Sequence, residues 1–128
     1  MSALSDYLEN ELLDLIVHAA AWTPPATIYL ALYTTATTDG GGGTEVSGGS
    51  YVRKAVTFGA VASGSVANSV AISFTNMPAA TVTHGALTDS ITLGGGNFLF
   101  HGPFSVPKVV GSGDTLTLEI GDVVATLA

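Results

Sequence analysis

A single mainly β domain, an antiparallel β-sandwich or open barrel with one N-terminal amphipathic helix, is the fold class this sequence predicts. Three observations carry it. Short apolar runs alternate with period two over most of the chain, as half-buried strands do. A glycine-rich turn separates almost every pair of runs, the spacing of sandwiches and barrels. A stripe of helical period occurs only near the N-terminus. The 128 residues suit one domain, read as residues 1–22 for the helix segment and 26–128 for the β domain.

The helix is expected over residues 5–19. Leu8, Leu12, Leu15, Ile16 and Ala19 fall on one face. Ser5 can accept hydrogen bonds from the first free N–H groups as N-cap, and Asp6 and Glu9 meet the positive end of the helix dipole. Pro24 and Pro25 forbid continuation. Asp6, Glu9, Glu11 and Asp14 make this segment acidic, as a solvated face or as a docking side for a basic neighbour. Trp22 is expected to close the helix end against the core.

Residues 27–34 alternate Ile28, Leu30 and Leu32 against Tyr29, Ala31 and Tyr33. Both sets are apolar, so the strand is central or covered by the helix. Residues 36–50, with four consecutive glycines at 40–43, form a loop too glycine-rich for a strand. Its part from Thr38 to Ser50 is about twice the usual connection length and is expected to be a contact element. Strands follow at 51–58, with Val52, Val56 and Phe58 on one side, at 66–74, more weakly at 81–87, and at 97–102. Pro103 and Pro107 confine the next stretch to an edge or irregular path. The last strands are 115–120 and 123–127, about seven in all.

Composition narrows function. Three basic and ten acidic residues give a net charge of −7. Arg53, Lys54 and Lys108 are too few to neutralise a phosphate backbone, so no nucleic acid is expected. The acidic balance disfavours anionic membrane surfaces, and no apolar run spans a bilayer, so no membrane partner is expected. The opening Met1–Asp6 lacks the cationic start of a signal peptide. No cysteine is present, which excludes thiolate chemistry and a disulfide scaffold. Gly, Ala, Ser and Thr make up nearly half the chain; a surface of small neutral residues carries little charge to desolvate on contact with another protein.

No chemical motif appears. His18, His84 and His101 lie far apart without ligand spacing, and no serine has a nucleophile-elbow context. Asp39 and Glu45 flank the glycine run but lack the alternating oxygen ligands of a calcium loop. No catalytic residue, metal or cofactor is expected.

Several segments in order carry a resemblance: Ser2-Ala3-Leu4-Ser5-Asp6-Tyr7-Leu8-Glu9-Asn10-Glu11-Leu12-Leu13-Asp14, the stretch from Pro25 to Thr34, the stretch from Gly43 to Phe58, Ser69 to Phe74, Val82-Thr83-His84, Gly95 to Gly102, and Gly113 to Leu116. Over nearly its whole length the chain resembles a family of small tailed-bacteriophage virion proteins, commonly labelled tail fibre or structural proteins. The block Glu45–Phe58 is its most specific part. One departure is the segment Gly85–Ser90, where the family carries bulkier apolar residues; this strand is therefore expected at an edge or against a different neighbour.

The resemblance implies a non-enzymatic virion component assembled in the host cytoplasm. The leading expectation is a capsid decoration, or cement, protein, because the chain lacks the length, repeats and heptads of a fibre. The alternative is a tail fibre or baseplate-associated tail protein; a host- or carbohydrate-binding module is a third. Expected partners are copies of itself, with a trimer as one arrangement, and other virion proteins such as the major capsid protein or tail proteins. The expected contact residues are Leu4, Tyr7, Leu8, Glu11, Gly41, Gly42, Thr44, Glu45, Tyr51, Arg53 and Lys54, and Glu45 with Arg53 or Lys54 is expected to add an ion pair worth little if exposed.

Overall fold

The computed structural model describes residues 1–127. Among them are one helix, α1 (Asp6–Val17), and nine strands: β1 (Ala3–Leu4), β2 (Tyr29–Tyr33), β3 (Lys54–Ala55), β4 (Ser65–Ala67), β5 (Ile72–Phe74), β6 (Ala80–Thr88), β7 (Phe98–Val110), β8 (Leu116–Leu118) and β9 (Val124–Thr126). β1-β7-β6-β2-β3 form an antiparallel sheet, and β4-β9 and β5-β8 form two ribbons. The main core joins Leu30, Leu32, Val82 and Leu87 of the sheet to Phe74, Leu118 and Ala125 of the ribbons. The result is a β-sandwich, and among the described residues no sheet closes into a barrel.

β2 is buried on both faces, as its apolar alternation requires. Leu30 and Leu32 enter the main core, while Ala31 and Tyr33 join Ala86 and Phe98 on the opposite face. Tyr33 and Phe98 meet edge to face at 5.4 Å between ring centres.

β6 lies between β2 and β7, at the centre of the sheet rather than at an edge. The small residue at 85 has a packing reason. A Cβ at Gly85 would stand 2.8 Å from Met1 Cε and 2.9 Å from Phe104 Cζ. The bare backbone leaves room for both side chains over the strand.

The stretch from Phe98 to Val110 is one strand, 13 residues long, and runs through both prolines. Its inner side pairs with β6 except over residues 104–107, which bulge out of register between the prolines as the irregular path expected there, and β1 covers its outer side only at Phe100 and His101. Pro103 and Pro107, without N–H groups, lie where that outer edge is otherwise open, which blunts it against further strand addition. The expected strand over 51–58 shrinks to two residues, and the expected strand over 66–74 divides between two ribbons. Val56 and Phe58 face the core as expected, but at 51–53 the sidedness is reversed. Tyr51 and Arg53 are buried and Val52 is exposed.

The N-terminal residues belong to the β domain as well as to the helix. Ala3 and Leu4 pair with His101 and Phe100. The Met1 ammonium donates to Val124 O at 2.8 Å. Ser5 caps α1: its hydroxyl accepts from Leu8 N–H at 3.1 Å and donates to Phe98 O, so one side chain fixes both helix and strand. Ser5→Ala is expected to lower stability by about 1–2 kcal/mol, read as a drop in the urea midpoint without loss of the β signal.

The helix stops at Val17, with Ala19 left-handed (φ 51°), before the prolines act. Its buried face is narrower than the stripe implies: only Leu8 is fully buried, and Leu13, Leu15, Ile16 and Val17 are exposed. Trp22 is half-buried and donates its indole N–H to the Tyr7 hydroxyl, so it folds onto the helix and not into the core.

Candidate functional site

The block from Glu45 to Phe58 builds a buried ion pair. Arg53 is 1% exposed. Its Nε donates to Glu45 Oε1 at 2.8 Å and its Nη2 to Glu45 Oε2 at 3.0 Å, a bidentate fork. Its Nη1 reaches Thr88 Oγ1, Ser90 O and Gly95 O at 3.2, 2.9 and 2.9 Å. Glu45 also accepts from the Tyr51 hydroxyl and from Gly94 N–H, and the Tyr51 oxygen accepts from Leu32 N–H. Burial alone would lower the guanidinium pKa. The hydrogen bonds and charge of Glu45 outweigh it and hold the pKa above its ordinary value. The chain's one arginine thus ties the loop at 45, the turn at 88–90 and the glycine turn at 94–96 to the sheet.

This corrects part of the expected contact set. Arg53, Tyr51 and Leu8 are buried within the chain. The Glu45–Arg53 pair is internal, not a surface pair, and Lys54 takes no part in it. Tyr7, Gly41, Glu45 and Arg53 line one cleft of about 440 Å³ between the first turn of α1, the glycine loop and the 94–97 turn, with Tyr33 and Phe98 in its wall. Leu4 is held in β1. Glu11 is half-buried on the helix, Gly41 and Thr44 are exposed, and Gly42 donates to Thr38 Oγ1.

The glycine loop is folded onto its own molecule. His101, buried in β7, bonds Thr37 Oγ1 through Nδ1 at 2.8 Å and Asp39 Oδ1 through Nε2 at 2.7 Å. Asp39 O accepts from Asp6 N–H at the start of α1. A hydroxyl, an imidazole and a carboxylate in a row match the outline of a catalytic relay. Here the carboxylate is 53% exposed and neither Thr37 nor His101 lines the cleft, so the row works as a pin for the loop. Asp39 and Glu45 are both engaged, by His101 and Arg53. Gly43 (φ 113°) lies where a Cβ would come within 3.0 Å of Tyr33.

Burial and the nearby Glu45 carboxylate raise Tyr33 from 10.0 to about 12, and burial raises Tyr51 further. Both are acids with raised folded-state pKa values. Their stabilisation is complete below pH 10 and is lost as pH rises toward and past 12. Stability is expected to fall by about 1.4 kcal/mol per pH unit for each tyrosine above pH 10. Urea midpoints at pH 8, 10 and 11 check this: Tyr51→Phe should remove about half the fall, and a flat profile to pH 11 would contradict it.

Two apolar surfaces complete the geometry. On α1, Leu13, Leu15, Ile16 and Val17 are 60, 41, 77 and 65% exposed. On the other face of the sheet, a pocket of about 90 Å³ and a groove of about 230 Å³ share Val66, Phe100 and Ala125 as walls. Ile28 and Phe58 line the first, and Val61 and Leu127 the second. Nothing local in the sequence marks this groove, because its walls come from separate strands and loops.

A family model described as "Podophage GP4 fiber I protein gp80" matches residues 3–126. No curated protein matches the chain.

Proposed function

The chain belongs to the podophage GP4 fiber I protein gp80 family, and from that premise we propose that it is a small, non-enzymatic subunit of a podophage tail fibre. It is a structural protein of the phage particle, as its family is. The observation that carries the tail reading is the extent of the match: it runs from β1 through β9, so the whole sandwich is the family's unit. The shape supports a structural role. Its buried polar side chains, among them Arg53, His101 and Asn68, are bonded within the chain, and large apolar side chains such as Ile16, Val61 and Val109 stand exposed.

Gold-labelled antibody against the chain on intact particles tests the reading. Label at the tail fibres is expected. Label spread over the head would favour capsid decoration, which the small size and absence of repeats support.

A further inference from the structure

We infer that the projecting end of α1 docks into the apolar groove of a second copy of this chain. The last turns of the helix are apolar nearly all round: Leu13, Ile16 and Val17 stand at i, i+3 and i+4, the anchor spacing of a helix laid into a groove. All three are exposed by more than half. Together with Leu15 they form a patch on the order of several hundred Å², the size that marks a contact site on a monomer.

The same chain carries a matching receptor. The groove walled by Val66, Phe100 and Ala125 is almost wholly apolar and open at Val61 and Leu127. Its size suits a few aliphatic side chains and offers no polar partner to a hydrophilic ligand.

Within one copy the two surfaces lie on opposite faces of the main sheet. The first turn of α1 shares the cleft with Tyr33 and Phe98, on the second face. The groove is built on Ile28, Leu87 and Phe100, on the face of the main core. A helix end from another copy can fill the groove.

Charge agrees. The helix carries Glu9, Glu11 and Asp14, and Arg53 is consumed by Glu45. Lys54, in register with Leu30 on the edge strand beside Ile28, remains to meet an acidic helix flank. Because knob and groove are different surfaces, the contact is head-to-tail and generates a closed ring or an open filament. Each copy then takes part in two such contacts, one through its helix end and one through its groove.

The contact joins two copies of one chain, so its test in solution is independent of whether the particle carries the chain on tail or head. Sedimentation of the full chain should show concentration-dependent oligomers. Ile16→Asp should weaken association on the order of tenfold or more while leaving circular dichroism and the melting temperature unchanged, since Ile16 is 77% exposed. The chain has no cysteine, so Ile16→Cys and Val61→Cys in separate chains report the pairing directly. Mixed chains should form the disulfide that joins the two different variants in preference to either like pair. Three results would overturn the contact: a wild-type chain monomeric at every concentration, Ile16→Cys chains that cross-link with one another as readily as with Val61→Cys chains, or a monomer that binds only particles stripped of it.

Discussion

Arg53→Met is expected to destabilise the protein by about 3–5 kcal/mol, a large fraction of the roughly 5–15 kcal/mol that holds a domain of this kind together. The side chain can be replaced by volume but not by chemistry. Without the guanidinium, the Glu45 carboxylate, 10% exposed, keeps only the Tyr51 hydroxyl and Gly94 N–H. Gly95 O loses its donor and Ser90 O keeps only the Thr88 hydroxyl. Arg53→Lys should recover little, because a single ammonium cannot reproduce the fork to Glu45 or reach three further oxygens. Arg53→Met with Glu45→Gln should lose less than the two single changes added, since the second change removes the unpaired charge. Urea unfolding of the four proteins measures this. A loss below about 1 kcal/mol for Arg53→Met would place the pair among ordinary surface contacts.

Asn68→Leu is expected to cost about 2–4 kcal/mol, and for a comparable reason. Asn68 is 1% exposed and uses all four of its hydrogen bonds. Its Nδ2 donates to Val70 O and Glu119 O at 2.9 and 3.0 Å, and its Oδ1 accepts from Gly121 and Val123 N–H at 3.0 and 2.9 Å. One side chain thus clamps the corner after β4 to the turn between β8 and β9. Leucine fits the space but leaves Val123 N–H and Val70 O unpaired, while Gly121 N–H keeps only the backbone Asn68 O and Glu119 O keeps only Asp122 N–H. The drop in melting temperature should come with faster amide exchange at Gly121 and Val123. Unchanged exchange at those two amides would mean that the turn holds itself.

Much of the fold is legible in local patterns because local patterns cause it. Ser5 caps the helix as its position before an apolar-periodic segment implies. The doubled apolar alternation of residues 28–33 places β2 in the middle of the sheet. What escapes a local reading is set by distant neighbours. The alternation of Val52, Val56 and Phe58 suggests the wrong sidedness for residues 51–53. An arginine becomes a buried residue only when a carboxylate and three oxygens from four other places in the chain converge on it. Prolines at 103 and 107 indicate an edge or irregular stretch, and β7 does lose its register with β6 between them, yet the strand resumes at Lys108. Ala3 and Leu4 form a strand only because β7 offers them an edge.

The candidate surfaces divide in the same way. Of the contact residues expected around Glu45, Glu45, Tyr51 and Arg53 turn inward, because their polar groups satisfy one another. The exposed end of α1 is visible in composition but hidden by its period, since the stripe from Leu8 to Ala19 implies burial along its whole length. Burial stops near Leu8, and the rest of the helix projects.

The copy number of this chain per particle, counted against the major capsid protein by quantitative mass spectrometry of purified virions, tests the central claim most directly. A tail-fibre subunit predicts a small fraction of the capsid protein's copies, lost together with the fibres when tails are stripped from heads. A count comparable to the capsid protein, retained on tailless heads, would contradict the fibre assignment and make the chain a decoration of the shell.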